Sequence, residues 1–244
     1  MSIAHNLRDT ANSLQEPVSE YTQVQRRIAS QTVAVEKLEY HLFSPQRAHH
    51  PLLEQAYEVW RDGWQATLKE LDESKPLHSD EFARQDEIGV LSIGRSCASV
   101  TGIRWLDLSL TRSREDSYFA HWPEEAVAAL GPSLVCITSN TIVHADWRRT
   151  VVEPPQGTAA SPTKLAFATI ALSVRRFLAS AADSIIALTR NDRAMGRAAV
   201  ELGATKLGQI YLHGIETDVI AVSRADARPH GAIVDHLWEQ RRQG

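Results

Sequence analysis

Asp146 stands in the run Thr141 to Val152, which reads as a strand, between Val143 and Val151. A carboxylate inside an apolar strand is either a general base beside a reacting proton or half of an ion pair with Arg148 or Arg149. In a regular strand positions 146 and 149 face opposite sides; a bulge would bring them together, and both roles could then hold at once. Arg104 poses a similar question. It shares the even-numbered face of the strand Ala98 to Leu110 with Val100, Leu106 and Leu108, where an unpaired guanidinium is costly. Glu81 or a substrate carboxylate would pair it, and water would do so at a sheet edge.

Basic side chains gather late in the chain: Arg175 and Arg176 on one helix, then Arg190, Arg193 and Arg197 around the start of the next. Arg193 and Arg197 are four apart and share a helix face, either a solvated face or a docking surface for an acidic partner. Trp60, Trp64, Trp105 and Trp122, with alanines 166, 168, 171, 179, 181 and 182, either fill the core or line a long apolar tunnel. The ten histidines show no metal-ligand spacing, so no metal is expected. Cys97 and Cys136 lack a paired histidine signature for a thiol nucleophile. No Gly-x-Ser-x-Gly elbow is present, which argues against a serine acyl-enzyme.

The 244 residues suffice for a sizeable core, and 43% hydrophobic with 23% charged residues excludes a disordered or fibrous chain. Twenty-six basic against thirty acidic residues give a net charge of −4, which disfavours whole-chain nucleic-acid binding. Two cysteines build no disulfide framework and suit a reducing compartment. Met1 to Glu20 is polar and acidic, unlike a signal peptide. The longest apolar stretch, Leu165 to Thr189, is interrupted by Arg175, Arg176 and Asp183, so no membrane span is expected. A soluble cytoplasmic protein follows as the expectation.

Residues 1–30 read as an N-terminal arm. Thr32 to Phe43 is strand-like, with a change of phase near Lys37 that suggests a bulge. Leu52 to Leu71 repeats apolar residues at helical spacing over about five turns. Ile88 to Ile93 and Ala98 to Leu110 form two strands joined at Gly94-Arg95-Ser96. A short helix starts at Pro123 and ends near Gly131. Leu165 to Ala181 is a mostly buried helix and Ser184 to Thr189 a buried strand. Asn191 is placed to cap a helix ending at Gly203. Leu207 to Leu212 and Asp218 to Val222 make a hairpin across His213 to Glu216. The order implies one α/β domain round a mixed central sheet flanked by helices, over residues 31–225, followed by a tail or short helix over 226–244.

This order, and the stretch Leu188 to Thr205 with its strand end, polar helix start and Leu202-Gly203 stop, resemble the GNAT acyltransferase fold. Three further pieces resemble the branch of acyl-homoserine-lactone synthases and long-chain N-acyl amino acid synthases. The helix carrying Trp60, Arg61 and Trp64 leads into Asp80-Glu81-Phe82, similar to an Asp-Glu-Phe-Asp motif, with Ala83 in place of the last acid. Val100-Thr-Gly-Ile-Arg104-Trp-Leu106 resembles a Val-Gly-x-x-Arg-Leu strand. Asp146-Trp-Arg-Arg149-Thr-Val-Val152 resembles a Glu-x-x-Arg-x-x-Val strand, with Asp for Glu. The chain departs from the wider superfamily at Ala198-Ala199, where many members carry a tyrosine general acid. It departs again at Glu153 to Ala160, which has one glycine, Gly157, where a glycine-rich phosphate loop is usual.

The resemblance implies direct transfer of a fatty-acyl group from a thioester to an amine of an amino acid or peptide. It gives Asp146 and Arg149 catalytic roles, and assigns substrate contacts to Arg61, Trp64, Glu81, Phe82, Arg104 and Trp105. The donor is an acyl-phosphopantetheine thioester, on an acyl carrier protein or on coenzyme A, with no permanently bound cofactor. A weak phosphate loop suits an acyl carrier protein as partner, which Arg190, Arg193 and Arg197 would dock. Alternatives are an autoinducer synthase of the lactone type, an acetyl-coenzyme A N-acetyltransferase, and a non-catalytic acyl-sensing module.

Overall fold

The phase change near Lys37 marks the point where the chain leaves one sheet for another, rather than a bulge within one strand. In a computed structural model, which describes residues 30–47, 49–71, 77–193, 195–228 and 231–243, Thr32–Ala34 (β1) belongs to a small three-stranded sheet. A 3-10 turn at Val35–Lys37 buries Val35 completely and passes the chain to Leu38–Phe43 (β2) in the main sheet. The arm expected over residues 1–30 lies, apart from Ser30, outside the described residues.

Pro51–Glu70 (α1) starts with proline in its first turn, and the His50 ring Nδ1 accepts the Leu52 N–H at 3.1 Å. It buries Leu52, Leu53, Ala56, Val59, Trp60 and Gly63. Asp80–Ala83 (α2) leads into the hairpin Glu87–Ile93 (β3) and Ser96–Asp107 (β4). Thr111–Arg114 (α3) and Glu124–Leu130 (α4) follow, the latter bounded by Pro123 and Gly131 as its sequence implies. Leu134–Val143 (β5) then returns to the sheet.

The stretch expected as a strand from Thr141 to Val152 is broken. β5 ends at Val143, a 3-10 turn occupies Ala145–Trp147, and Val151–Glu153 (β6) joins the small sheet between β1 and Thr163–Lys164 (β7). The His144 ring accepts the Asp146 N–H at 3.3 Å, so Asp146 starts a turn. Leu165–Leu178 (α5) crosses over to Ser184–Arg190 (β8). Met195–Glu201 (α6) begins four residues beyond Asn191, which does not cap it. The Asn191 amide instead donates to Glu216 and Asp218. Thr205–Leu212 (β9) and Ile215–Ser223 (β10) form a hairpin across His213 and Gly214 alone, at φ +54° and +73°. This is the left-handed pair that a two-residue turn requires. Ala232–Glu239 (α7) buries Ile233, Val234, Leu237 and Trp238, and Arg242–Gln243 (β11) pairs with β2.

The main sheet has eight strands in the order β11-β2-β3-β4-β5-β8-β10-β9. α5 and α7 cover one face, in a core with Tyr40, Leu91, Ile103 and Cys136. α1 packs on Phe43, Ile88, Val90 and Val100, and α4 lies with Leu108, Ile137, Ile186 and Val219, on the other face. Arg176 fastens α5 to the sheet. Its guanidinium donates twice to Glu87 of β3, at 2.7 and 2.6 Å, and sits 4.9 Å over the Trp105 ring. Among the described residues no helix is long and apolar enough to cross a membrane.

Gly203, just past α6, has φ +98°, and a Cβ there would lie 2.0 Å from the Asp226 carbonyl oxygen. Gly203→Ala therefore combines left-handed strain with a backbone clash. It is expected to lower stability by more than about 2 kcal/mol, or roughly 4–8 °C in Tm. Gly157→Ala, at φ +80° with open space around it, is the control and should cost about 1 kcal/mol. Equal melting losses would contradict this account.

Candidate active site

β5 and β8 run parallel and pair at three positions, Val135 with Ser184, Cys136 with Ile185 and Ile137 with Ile186. Beyond these they part: β5 continues along β4 to Val143, while β8 stays with β10 to Arg190. A cavity of about 700 Å³ occupies the gap, lined by 138–143 of β5 and 185–190 of β8. Two features shape β5 there. Asn140 and Thr141 stand opposite the single residue Thr101, a bulge in which Asn140 adopts φ +58°. Gly63 lets α1 close on the strand, since a Cβ would lie 2.5 Å from Ile142 Cγ2.

The cavity has unlike ends. Ala166, Ile170 and Val174 of α5, with Ala199, Leu202 and Val222, give it an apolar wall. Glu81, Arg84, Arg104, Ser117, Tyr118 and His121 give it a polar one. Glu70, Arg190, Arg193 and His213 stand at a further edge.

Arg104 is 7% exposed and lies between the two apolar clusters on its face. Its partner is Asp116, not Glu81: Arg104 Nη2 donates to Asp116 Oδ2 at 2.5 Å. Asp116 Oδ1 accepts the Tyr118 N–H at 2.9 Å, so one carboxylate ties the strand to the 3-10 turn Ser117–Phe119. Burial works against ionisation of Asp116. The Tyr118 N–H and the Arg104 guanidinium outweigh it and hold the carboxyl below its ordinary value. Glu81 pairs with Arg84 at 2.6 Å. Two buried polar groups lining the cavity, Trp64 Nε1 and Thr189 Oγ1, have no hydrogen-bond partner among the described residues, and the buried Tyr118 hydroxyl meets only the Leu188 backbone. Buried polar groups normally have a protein or water partner, and a water or ligand in the cavity would supply one here.

The residues singled out in the sequence therefore divide. Trp64, Glu81, Arg104, Arg190 and Arg193 line the cavity. Asp146 does not: its side chain is 79% exposed on its turn, 3.7 Å from the His144 ring, and Arg149 is exposed nearby without lining the cavity. Strand alternation puts Trp105 on the opposite face from Arg104, under Arg176. Phe82 is buried against Tyr57 and Trp60, with Arg61 beside it in a separate shallow groove. Arg193 precedes α6 rather than sharing its face with Arg197, and it donates twice to Glu70, at 2.7 and 2.6 Å. Arg190 is held by Asp192 at 3.0 and 2.6 Å. Two of the three expected docking arginines are thus neutralised within the chain. Arg84, Tyr118 and Thr189 went unnoticed in the sequence. The Asp116-Ser-Tyr118 spacing, with an aspartate accepting a backbone N–H two residues on, was the available signal for Tyr118.

Asp116→Asn keeps the shape and removes the charge that offsets Arg104. The variant should lose about 1.5–3 kcal/mol at pH 7. A depressed carboxyl contributes stability above its unfolded value of about 4, and loses it as pH falls through the lower folded value. The difference between parent and variant in urea unfolding should therefore shrink as pH falls from 7 to 3. A difference unchanged between pH 7 and pH 3 would contradict the pairing.

No family model matches the chain, and no curated protein matches it. Solved structures do share its fold. A CoA-dependent acyl-homoserine lactone synthase, BjaI, with SAM and isopentyl-CoA, superposes with TM-score 0.53 at 15% identity, over 85% of this chain and 93% of that one. FeeM, an N-acyl amino acid synthase from uncultured soil microbes, gives 0.51 at 11% identity, over 84% and 94%. The AHL synthase LasI gives 0.50 at 8% identity, over 84% and 96%. The chain has a GNAT-like fold, in the form found in acyl-homoserine-lactone and N-acyl amino acid synthases.

Proposed function

We propose that the chain is an N-acyltransferase that moves a fatty-acyl group from a phosphopantetheine thioester, carried by an acyl carrier protein, to the amine of an amino acid or peptide. The observation that carries this reading is the parting of β5 and β8 over a cavity with one apolar and one polar wall. An extended amide-containing arm can take the place of the missing strand contacts, and the apolar wall suits an acyl chain. The polar wall suits a charged acceptor, with Arg84 available to a carboxylate as an alternative to Glu81.

Transfer is direct in this reading. The amine nitrogen attacks the thioester carbonyl carbon, the C–S bond breaks, and the proton lost by nitrogen ends on sulfur. Neither thiol of the chain is suited to an acyl-enzyme. Burial pushes Cys97 up to about 12 and raises Cys136 as well, and neither lines the cavity. Glu81, a carboxylate on the polar wall, replaces Asp146 as the group that accepts the amine proton through water. Docking of an acidic carrier on Arg190 and Arg193 would have to displace Asp192 and Glu70, their present partners in exposed pairs.

The test is incubation of the purified chain with long-chain acyl-carrier thioester or acyl-coenzyme A and a pool of amino acids, following free thiol and product mass. Amine-dependent thiol release with an N-acyl amino acid or acyl-peptide mass is the expected result. A homoserine lactone amide would move the assignment to a lactone synthase. No thiol release with any donor and amine would overturn the reading.

A further inference from the structure

Tyr118 is a side chain of the polar wall for which the sequence and the ion pairs leave no role. Its position is built with care. Asp116 accepts the Tyr118 N–H and pairs with the buried Arg104, so the turn is anchored to β4 by one carboxylate. The ring packs edge-on against Phe119, with centroids 5.7 Å apart at 82°, and tilted at 50° against Trp122 at 5.6 Å. The hydroxyl is buried, its oxygen meets the Leu188 backbone, and no group among the described residues accepts its proton. Leu188 is two residues past Ile186, the last residue of β8 paired with β5. The phenol thus reaches the start of the gap, on the same cavity as the Asn140 bulge.

We propose that the Tyr118 hydroxyl donates a hydrogen bond to the carbonyl oxygen of the bound thioester, as a catalytic oxyanion-binding residue. The inference rests on the acyltransferase reading above. As the amine forms its N–C bond, the carbonyl π electrons move onto oxygen, and a fixed donor at that point stabilises the charge. When the C=O bond re-forms, the C–S bond breaks and the thiolate takes the proton released by nitrogen. Tyr118 keeps its own proton throughout. Burial raises its phenol well above a thiol, so it is suited to donating a hydrogen bond and unsuited to surrendering a proton. Arg104 and Asp116 are then positioning residues: they fix the turn and do not touch the substrate.

Tyr118→Phe is the test, since it removes one oxygen and keeps the ring packing. Three readouts separate the roles. The melting temperature should stay within about 4 °C of the parent, because the only contact the hydroxyl loses in the resting fold is a weak one to the Leu188 backbone. Binding of an S-alkyl pantetheine thioether, which lacks the carbonyl, should be unchanged. Turnover should fall about 100- to 1,000-fold, as when one oxyanion donor is lost, with the shape of the pH profile preserved. A variant within threefold of an active parent would overturn the proposal and leave the acyltransferase reading intact. Loss of thioether binding or a large fall in melting temperature would show a structural role and overturn it too. A parent that neither binds the thioether nor turns over any acyl-pantetheine thioester would sink the acyltransferase reading, and this proposal with it.

Discussion

Two adjacent parallel strands that stop sharing hydrogen bonds leave backbone donors and acceptors facing each other across a gap, and inside a protein such groups need partners. β5 and β8 do this after three residue pairs. Each is held from its far side, β5 by β4 and by α1 pressing on Ile142, β8 by seven pairs to β10. Neither can swing across to close the sheet without giving up those contacts. The gap is therefore a fixed feature, and the side chains that matter for function are those the two strands and their neighbours turn toward it.

Charge pairing decides which of the arginines are available. Arg176 is committed to Glu87, Arg104 to Asp116, Arg190 to Asp192 and Arg193 to Glu70. The buried pairs fix geometry: Arg176 ties α5 to the sheet, and Arg104 ties β4 to the turn that carries Tyr118. The Arg84–Glu81 and Arg193–Glu70 pairs are different, because their side chains are about 40% exposed. Exposed pairs contribute little to stability, so Arg84 can exchange Glu81 for a ligand carboxylate at small cost.

Much of the scaffold was legible in the sequence because local chemistry specified it. The apolar spacing of α1, the Pro123 and Gly131 bounds of α4 and the β9–β10 hairpin each follow from residues within one element. Arg104 was also legible as a buried charge in need of a partner, because β4 alternates cleanly. Its partner was not, because Asp116 reaches it by folding back from a loop twelve residues on. Asp146 was misplaced for a related reason. Val143 and Val151 look like two residues of one strand, but they end β5 and start β6 in different sheets, with the His144 cap turning the chain between them. The phase change near Lys37 was visible, and only the pairing partners could show that it was a change of sheet. Tyr118 carried no periodic signal at all; its importance arises from what surrounds its hydroxyl.

Amide hydrogen exchange, with and without a hydrolysis-resistant long-chain acyl-pantetheine thioether, tests the central claim most directly. If the thioester arm fills the gap between the parted strands, the ligand should slow exchange selectively at 138–143 of β5 and 187–190 of β8. The paired residues 135–137 and 184–186 should change little. Protection confined to the shallow groove at Arg61 and Phe82, or no change in either parted segment at saturating ligand, would contradict the account.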